Sequence, residues 1–179
     1  MYSNYICHVA WFSSEHYSEE KVIKIITQYN NLKITEDNYM SDNFSNTYFS
    51  LDDCRKIGFI RQDIEDKFNL GYINARERAL LITSLLYAMD KIANTCGHYD
   101  AYRQGVEFEK HLELYVPQPE PYVNENNVCY NMDTNELAPE IEADLIYIDP
   151  PYNSRQYCDA YHLLEKCSQM GKARGIWCC

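Results

Sequence analysis

The stretch Asp144-Leu145-Ile146-Tyr147-Ile148-Asp149-Pro150-Pro151-Tyr152 decides the fold class. Residues 145–148 are four consecutive apolar side chains, with an acid before them and Asp-Pro-Pro after them. An uninterrupted apolar run of strand length, with no alternation, reads as a strand covered on both faces. A shorter run, Val128-Cys129-Tyr130-Asn131-Met132, precedes it, and a helical turn is expected near Asn135 to Ala138. Two strands joined by a short helix predict a parallel α/β sheet. Ligands of open α/β sheets bind beyond the carboxyl ends of the strands, which is where residues 149–152 would fall.

The tetrapeptide has chemistry of its own. Its prolines fix the backbone of the turn and remove two N–H donors. Asp149 and the Pro150 carbonyl can each accept a hydrogen bond from an exocyclic amine, and Tyr152 can lie flat against a heterocycle. In such an amine the lone pair is delocalised into the ring. Two acceptors on its hydrogens pull the nitrogen towards a tetrahedral, nucleophilic geometry. A methyl group can then transfer in line from a sulfonium, mainly through positioning. A base would first have to leave the duplex, and an aromatic stack stabilises that state by about 1–3 kcal/mol. On the four residues alone, a rigid Pro-Pro turn after a strand is an equal alternative.

Upstream the periodicity is helical. Ser18 followed by Glu19 and Glu20 starts a helix over 18–30. Residues 31–49 are polar and read as loops. Ser50 and Asp53 open a helix over 51–68, with Ile57, Ile60, Ile64 and Phe68 on one stripe. Asn74 and Glu77 open a third over 75–93, whose buried face runs from Leu81 and Ile82 to Met89 and Ile92. Residues 1–12 are apolar and aromatic, as in the interior of an element. The proline-rich segment 117–127 is the expected boundary between the helical part and the sheet.

Composition sets limits. The 179 residues, 46% hydrophobic, suffice for one medium domain with a core. No apolar run reaches the roughly 18 residues of a membrane span, and no basic, then apolar leader opens the chain, so a cytoplasmic location without a membrane partner is expected. The eight cysteines form no C-x-x-C pair and read as free thiols. Cys96 and His98 have no further ligands close in sequence, so no metal is expected. A net charge of −11 excludes a general nucleic-acid coat protein and leaves room only for a local cationic contact with DNA.

The stretch DLIYIDPPYNSRQYCDAYHLLE, residues 144–165, resembles the fourth motif region of the Dam-like DNA adenine methyltransferases of bacterial restriction-modification systems. NMDTNEL, residues 131–137, is similar to that family's preceding strand end. The segment from Tyr48 to Arg103, including RERALLITSLLYAMDKIANTCGHYDAYR, resembles its helical target-reading insertion, and MYSNYICHVAWF resembles the sequence after its second motif. The resemblance implies an α/β, partial Rossmann-like, S-adenosylmethionine-dependent methyltransferase fold carrying a helical target-recognition insertion. It divides the chain into a catalytic-domain remnant at 1–12, a target-recognition region at 13–126 and a catalytic segment at 127–165. It makes Asp149, Pro150, Pro151 and Tyr152 catalytic and assigns Asp133 to the adenine of S-adenosylmethionine. Asn94, His98, Tyr102, Arg103, Asn153 and Arg155 would then contact DNA. The implied partner is double-stranded DNA with a flipped adenine, and the implied companion is a separately encoded restriction endonuclease. A non-catalytic DNA-binding remnant, and a methyltransferase for another planar amine such as cytosine N4, are the alternatives.

Two departures stand against the family pattern. Its cofactor loop is of the form F-x-G-x-G, but no two of the six glycines here are spaced G-x-G. The acid that would hold the cofactor ribose has no counterpart either. The chain therefore reads as a fragment, expected to be inactive by itself. The resemblance also stops at Glu165. KCSQMGKARGIWCC, residues 166–179, has no regular periodicity and is expected to be a frameshifted tail making few contacts. In one back-translation a single-base shift converts it to NVAKWEKPEVYGVA, which is similar to the family's next segment.

Overall fold

The computed structural model describes residues 1–119, 126–149 and 157–169. Its helical body begins with α1 (Tyr2–Phe12) and α2 (Glu19–Asn30), continues through α3 (Tyr39–Phe44) and α4 (Leu51–Asn69), and centres on α5 (Ala75–Ile92). Caps fix the starts. The Ser18 side chain accepts from Lys21 N, and Ser50 from Asp53 N. Asn74 and Glu77 close a reciprocal capping box on α5. The α3 helix falls inside the stretch expected to be loops. A capping box between Asn38 and Ser41 starts it, and burial of Met40 and Phe44 holds it. Six residues are too few to reveal a period in a polar sequence.

Along α5, residues 76–86, Ala88 and Met89 are all buried, so α5 is the axis of the body. A helix covered on every side needs neighbours on every side, and α1, α2, α4 and a later helix supply them. Between α3 and α4 the approach is very close. A methyl group on Gly58 would stand 2.0 Å from Asn38 Oδ1, and that side chain is already engaged, donating from Nδ2 to the Arg55 carbonyl. Glycine leaves room for the cap of one helix to lie on the backbone of the next.

Residues 111–116 belong to no helix or strand and cross the helical body. Leu112 and Leu114 are buried. Leu112 N donates to Asp53 Oδ1, and Lys56 Nζ donates to the Leu112 carbonyl. Asn30 mimics a strand neighbour: its Oδ1 accepts from Leu114 N while its Nδ2 donates to the Leu114 carbonyl. Ser84 Oγ donates to the Tyr115 carbonyl.

The sheet expected from 128–132 and 144–148 does not form among the described residues, where the isolated bridge Ser45–Phe49 is the one β pairing. The short helix between the two runs is present as α6 (Thr134–Leu137) followed by a 3-10 turn over Ala138–Glu140. The flanking runs are irregular and face solvent: Leu145, Ile146, Tyr147 and Ile148 are 87%, 62%, 86% and 77% exposed. The reason is a missing ladder. A strand needs a neighbour for its N–H and C=O groups, and a doubly buried one needs two neighbours and two covered faces. None of the described residues offers them.

The last helix, α7 (Tyr157–Gln169), is kinked at Tyr161, whose φ of −126° and ψ of 17° leave the helical region. It packs back against α1. Glu165 accepts from Tyr2 N at 2.7 Å, Ser3 N at 3.0 Å and Ser3 Oγ at 2.8 Å, satisfying the free donors at the start of α1. Burial pushes this carboxyl up, but the Ser3, Tyr2 and Gln169 hydrogen bonds outweigh it and hold the group below its ordinary value. Arg61 donates to the carbonyls of Cys167 and Ser168 at 2.6 and 3.0 Å, and both residues are buried. Residues 166–169 therefore continue a packed helix and make contacts that a loose tail would lack; residues 170–179 lie outside the described residues.

Candidate functional site

The loop 94–103 after α5 is built by its first residue. Asn94 N donates to the Tyr48 carbonyl, and Asn94 Nδ2 donates to the carbonyls of Thr47 and Arg103. Both side-chain amide hydrogens thus hold the loop closed, so Asn94 acts on its shape rather than presenting those donors outward. Tyr99 is 1% exposed and anchors the loop in the body. Its backbone N–H donates to the Ala160 carbonyl of α7 at 2.9 Å. The exposed return of the loop carries Tyr102 and Arg103, with His98 half-buried and its Nδ1 3.5 Å from Asp100.

Tyr48 sits under this loop. Its hydroxyl donates to the Tyr99 carbonyl at 2.7 Å. Its ring lies 5.5 Å from the Tyr99 ring, 5.6 Å from Tyr102 at 70°, and 6.2 Å from the His162 ring of α7. Edge-to-face contacts of this kind orient rings as well as bury them. Burial pushes the Tyr48 phenol up, aided by Tyr102 and Asp100, and burial followed by Asp90 does the same to Tyr99. Both stay protonated at neutral pH, so the Tyr48 hydroxyl remains a donor.

Asp149 is exposed at the end of the solvent-facing run 144–148. Pro150, Pro151, Tyr152, Asn153 and Arg155 lie outside the described residues. Asp133 is exposed and is the N-cap of α6, where its Oδ1 accepts from Asn135 N and Nδ2 at 2.8 and 3.1 Å. Beside this segment, a cleft between α1 and residues 127–130 is lined by His8, Phe12, Val128, Tyr130 and Leu137, among others. No group of three or more His, Cys, Asp or Glu able to hold a metal occurs among the described residues, and no described helix is long and apolar enough to cross a membrane. Of the expected DNA contacts, the structure brings Asn94, His98, Tyr102 and Arg103 into one loop. Tyr48, Tyr99 and His162, which organise it, carry no sequence signal beyond being aromatic and are absent from the residues that the sequence singles out.

The family model for D12 class N6 adenine-specific DNA methyltransferases matches residues 1–174, and the chain belongs to that family. Membership makes it part of a methyltransferase fold, although the sheet expected of it is unpaired here. Among curated relatives, Modification methylase LlaI of Lactococcus lactis subsp. lactis is 37% identical over 123 residues, 66% of this chain and 20% of the relative. Type II methyltransferase M.NlaIII of Neisseria lactamica is 37% identical over 124 residues, 65% of this chain and 35% of the relative. Type II methyltransferase M.FokI of Planomicrobium okeanokoites is 34% identical over 140 residues, 74% of this chain and 22% of the relative. The chain thus spans well under half the length of these relatives. No solved structure matches.

Proposed function

We propose that the chain supplies the target-reading helices and the base-handling turn of a site-specific methyltransferase that moves a methyl group from S-adenosylmethionine to adenine N6 in DNA. The observation that carries this reading is the tetrapeptide Asp149-Pro150-Pro151-Tyr152 in a chain that the D12 family model matches from residue 1 to 174. Asp149 and the Pro150 carbonyl accept from the N6 amine, and Tyr152 stacks on the flipped adenine. Loop 94–103, with Tyr102 and Arg103 exposed, faces the duplex, and Asn153 and Arg155 contact it close to the flipped base. The family's description as DNA methyltransferases supports DNA as the substrate, and a separately encoded endonuclease is the companion this reading proposes.

S-adenosylmethionine supplies the transferable methyl on a sulfonium. Asp133 would hold its adenine end, since the Asp133 carboxylate is exposed and its Oδ2 is not used by the α6 cap. The apolar lining of the neighbouring cleft, with Phe12, Val128 and Tyr130, suits a planar heterocycle. The chain has no G-x-G loop to hold the methionine end. The exposed, unladdered run 144–148 favours a second statement about this chain by itself: it does not turn over.

The test is transfer of labelled methyl to unmethylated DNA by a protein carrying this segment within a complete methyltransferase fold. Asp149→Ala is expected to reduce transfer to background while duplex affinity stays within about threefold, because it removes an acceptor for the amine and no phosphate contact. Near-normal turnover in Asp149→Ala would remove the assigned role.

A further inference from the structure

Three elements meet at Tyr48: the connection between α3 and α4, the loop 94–103, and the first half of α7. Its hydroxyl is bonded to the Tyr99 carbonyl, and its ring touches Tyr99, Tyr102 and His162. One residue links the same loop to α7 through the backbone, since Tyr99 N donates to the Ala160 carbonyl. The helix leaves its regular twist at Tyr161, immediately after that carbonyl. Kinks arise where an outside group enters the i→i−4 ladder, and the Tyr99 N–H is such a group. The α7 helix in turn begins five residues beyond Tyr152. The exposed residues Tyr102 and Arg103 and the helix α7 are thus tied to each other through one buried aromatic hub.

We propose that Tyr48 is a positioning residue that couples duplex binding at Tyr102 and Arg103 to the conformation of α7. The inference rests on the reading of loop 94–103 as a DNA contact. A duplex that presses on Tyr102 moves the ring against which Tyr48 is packed edge-on. Tyr48 cannot yield without moving the Tyr99 carbonyl and the His162 ring. The Tyr99 N–H, one atom group away, holds the carbonyl at the kink, so ordering of the loop is passed to the helix. Such coupling needs discrete contacts rather than proximity alone, and the kink at Tyr161 is the place in α7 where a change of arrangement would be taken up.

Hydrogen exchange on the full chain, with and without a short mixed-sequence duplex at low salt, reads this directly. In the wild type the duplex is expected to slow exchange at residues 94–103 and also at 160–168. In Tyr48→Leu the protection at 94–103 should persist while that at 160–168 is lost. In Tyr48→Phe, which keeps the ring and deletes one hydrogen bond, the duplex-induced protection of α7 should fall by about 2- to 10-fold. If Tyr48→Leu does not fold, as judged by its helical circular dichroism, Tyr48→Phe decides alone. Unchanged α7 protection in Tyr48→Phe and Tyr48→Leu, or α7 protection absent from the wild type while the loop is protected, overturns the coupling. Absence of duplex binding to the wild type removes the DNA-contact reading itself, and the coupling with it.

Discussion

Residues 111–116 and residues 144–148 are both short runs outside any helix or strand, yet the first is locked into the body and the second lies in water. In His111-Leu112-Glu113-Leu114-Tyr115-Val116 the apolar side chains alternate with others, so Leu112 and Leu114 turn inward while Glu113 and Tyr115 stay outside. Only one face needs covering. Helix side chains then replace a neighbouring strand, with Asp53, Asn30, Lys56 and Ser84 taking the backbone groups. In Leu145-Ile146-Tyr147-Ile148 both faces are apolar and both edges need a ladder. Side chains projecting from a bundle cannot supply two neighbours and two covered faces at once. An extended segment therefore holds its place through the partners of its backbone, and its hydrophobicity alone does not secure it.

The widest separation between the two runs should appear in large-to-small substitutions. Leu114→Ala is expected to destabilise the chain by about 2–5 kcal/mol, as buried leucines do. Ile148→Ala should change stability by less than about 0.5 kcal/mol, as exposed positions do. Denaturant unfolding midpoints of both variants measure this. A cost for Ile148→Ala matching that of Leu114→Ala would mean the run is covered in solution, and the contrast would disappear.

A smaller effect isolates the backbone clamp. Asn30→Ala leaves Leu114 in place but removes the acceptor for its N–H and the donor to its carbonyl, at an expected cost of about 1–3 kcal/mol. Proteolysis confined to the 111–116 segment, with the helical signal retained, would show that the clamp holds the strap and little else. Stability equal to wild type would show that burial of Leu112 and Leu114 suffices without it.

The helical half of this picture is legible in the sequence because caps and apolar stripes are local. Ser18, Ser50, Asn74 and Glu77 mark the starts of α2, α4 and α5 at the observed places. The illegible half depends on distant partners. The 144–148 run has the composition of a strand, but none of the described residues pairs with it. The 111–116 strap has the alternation of a strand, yet its partners are side chains on three helices. At the candidate site, loop 94–103 is picked out by the resemblance of 48–103 to a target-reading insertion. Its dependence on Tyr48, some 50 positions upstream, cannot. The packing of Lys166 to Gln169, in place of the expected loose tail, is hidden for a related reason. It comes from Arg61, which holds two carbonyls, and carbonyls leave no mark in a side-chain pattern.

Acid should separate the two regions less sharply. Glu65, Glu77 and Glu165 belong to the body, and burial raises each of them. For Glu65, hydrogen bonds and charge from Arg61 and Arg78 outweigh it; for Glu77, Ser18, Lys21 and Asn74 do so. All three carboxyls are held below the ordinary value of 4.5. A depressed folded-state value means stability that is fully present above 4.5 and lost as the pH falls through the lower folded values. Urea midpoints should accordingly be flat near neutrality and drop below about pH 4.5, with the drop reduced in Glu165→Gln. An equal drop in Glu165→Gln would locate the sensitivity in the other two groups.

The smallest signal is expected from the cofactor. If Asp133 holds the adenine end as proposed, the chain still lacks the contacts that a G-x-G loop would add, at about 1.5–3 kcal/mol for each charge-assisted bond. Calorimetry with S-adenosylmethionine should show no binding at micromolar concentrations. Micromolar binding would mean that the 128–149 segment is better organised in solution than its exposure implies.

The bonds from Tyr2 and Ser3 to Glu165 span 163 and 162 residues of sequence. During synthesis α1 leaves the ribosome ahead of every other described helix, while the carboxylate that satisfies its leading amides is made long afterwards. At ordinary elongation rates that interval is about 10–30 s. Through it, α1 can rest on α5 once α5 exists, but its first turn has only water for a partner. Closure of α1 onto α7 is thus a late event, with a folding rate limited by a loop closure that encloses α2 to α6. Until then Tyr2, Tyr5 and Ile6 sit on a helix whose end is still fraying, within reach of chaperones that bind exposed apolar segments.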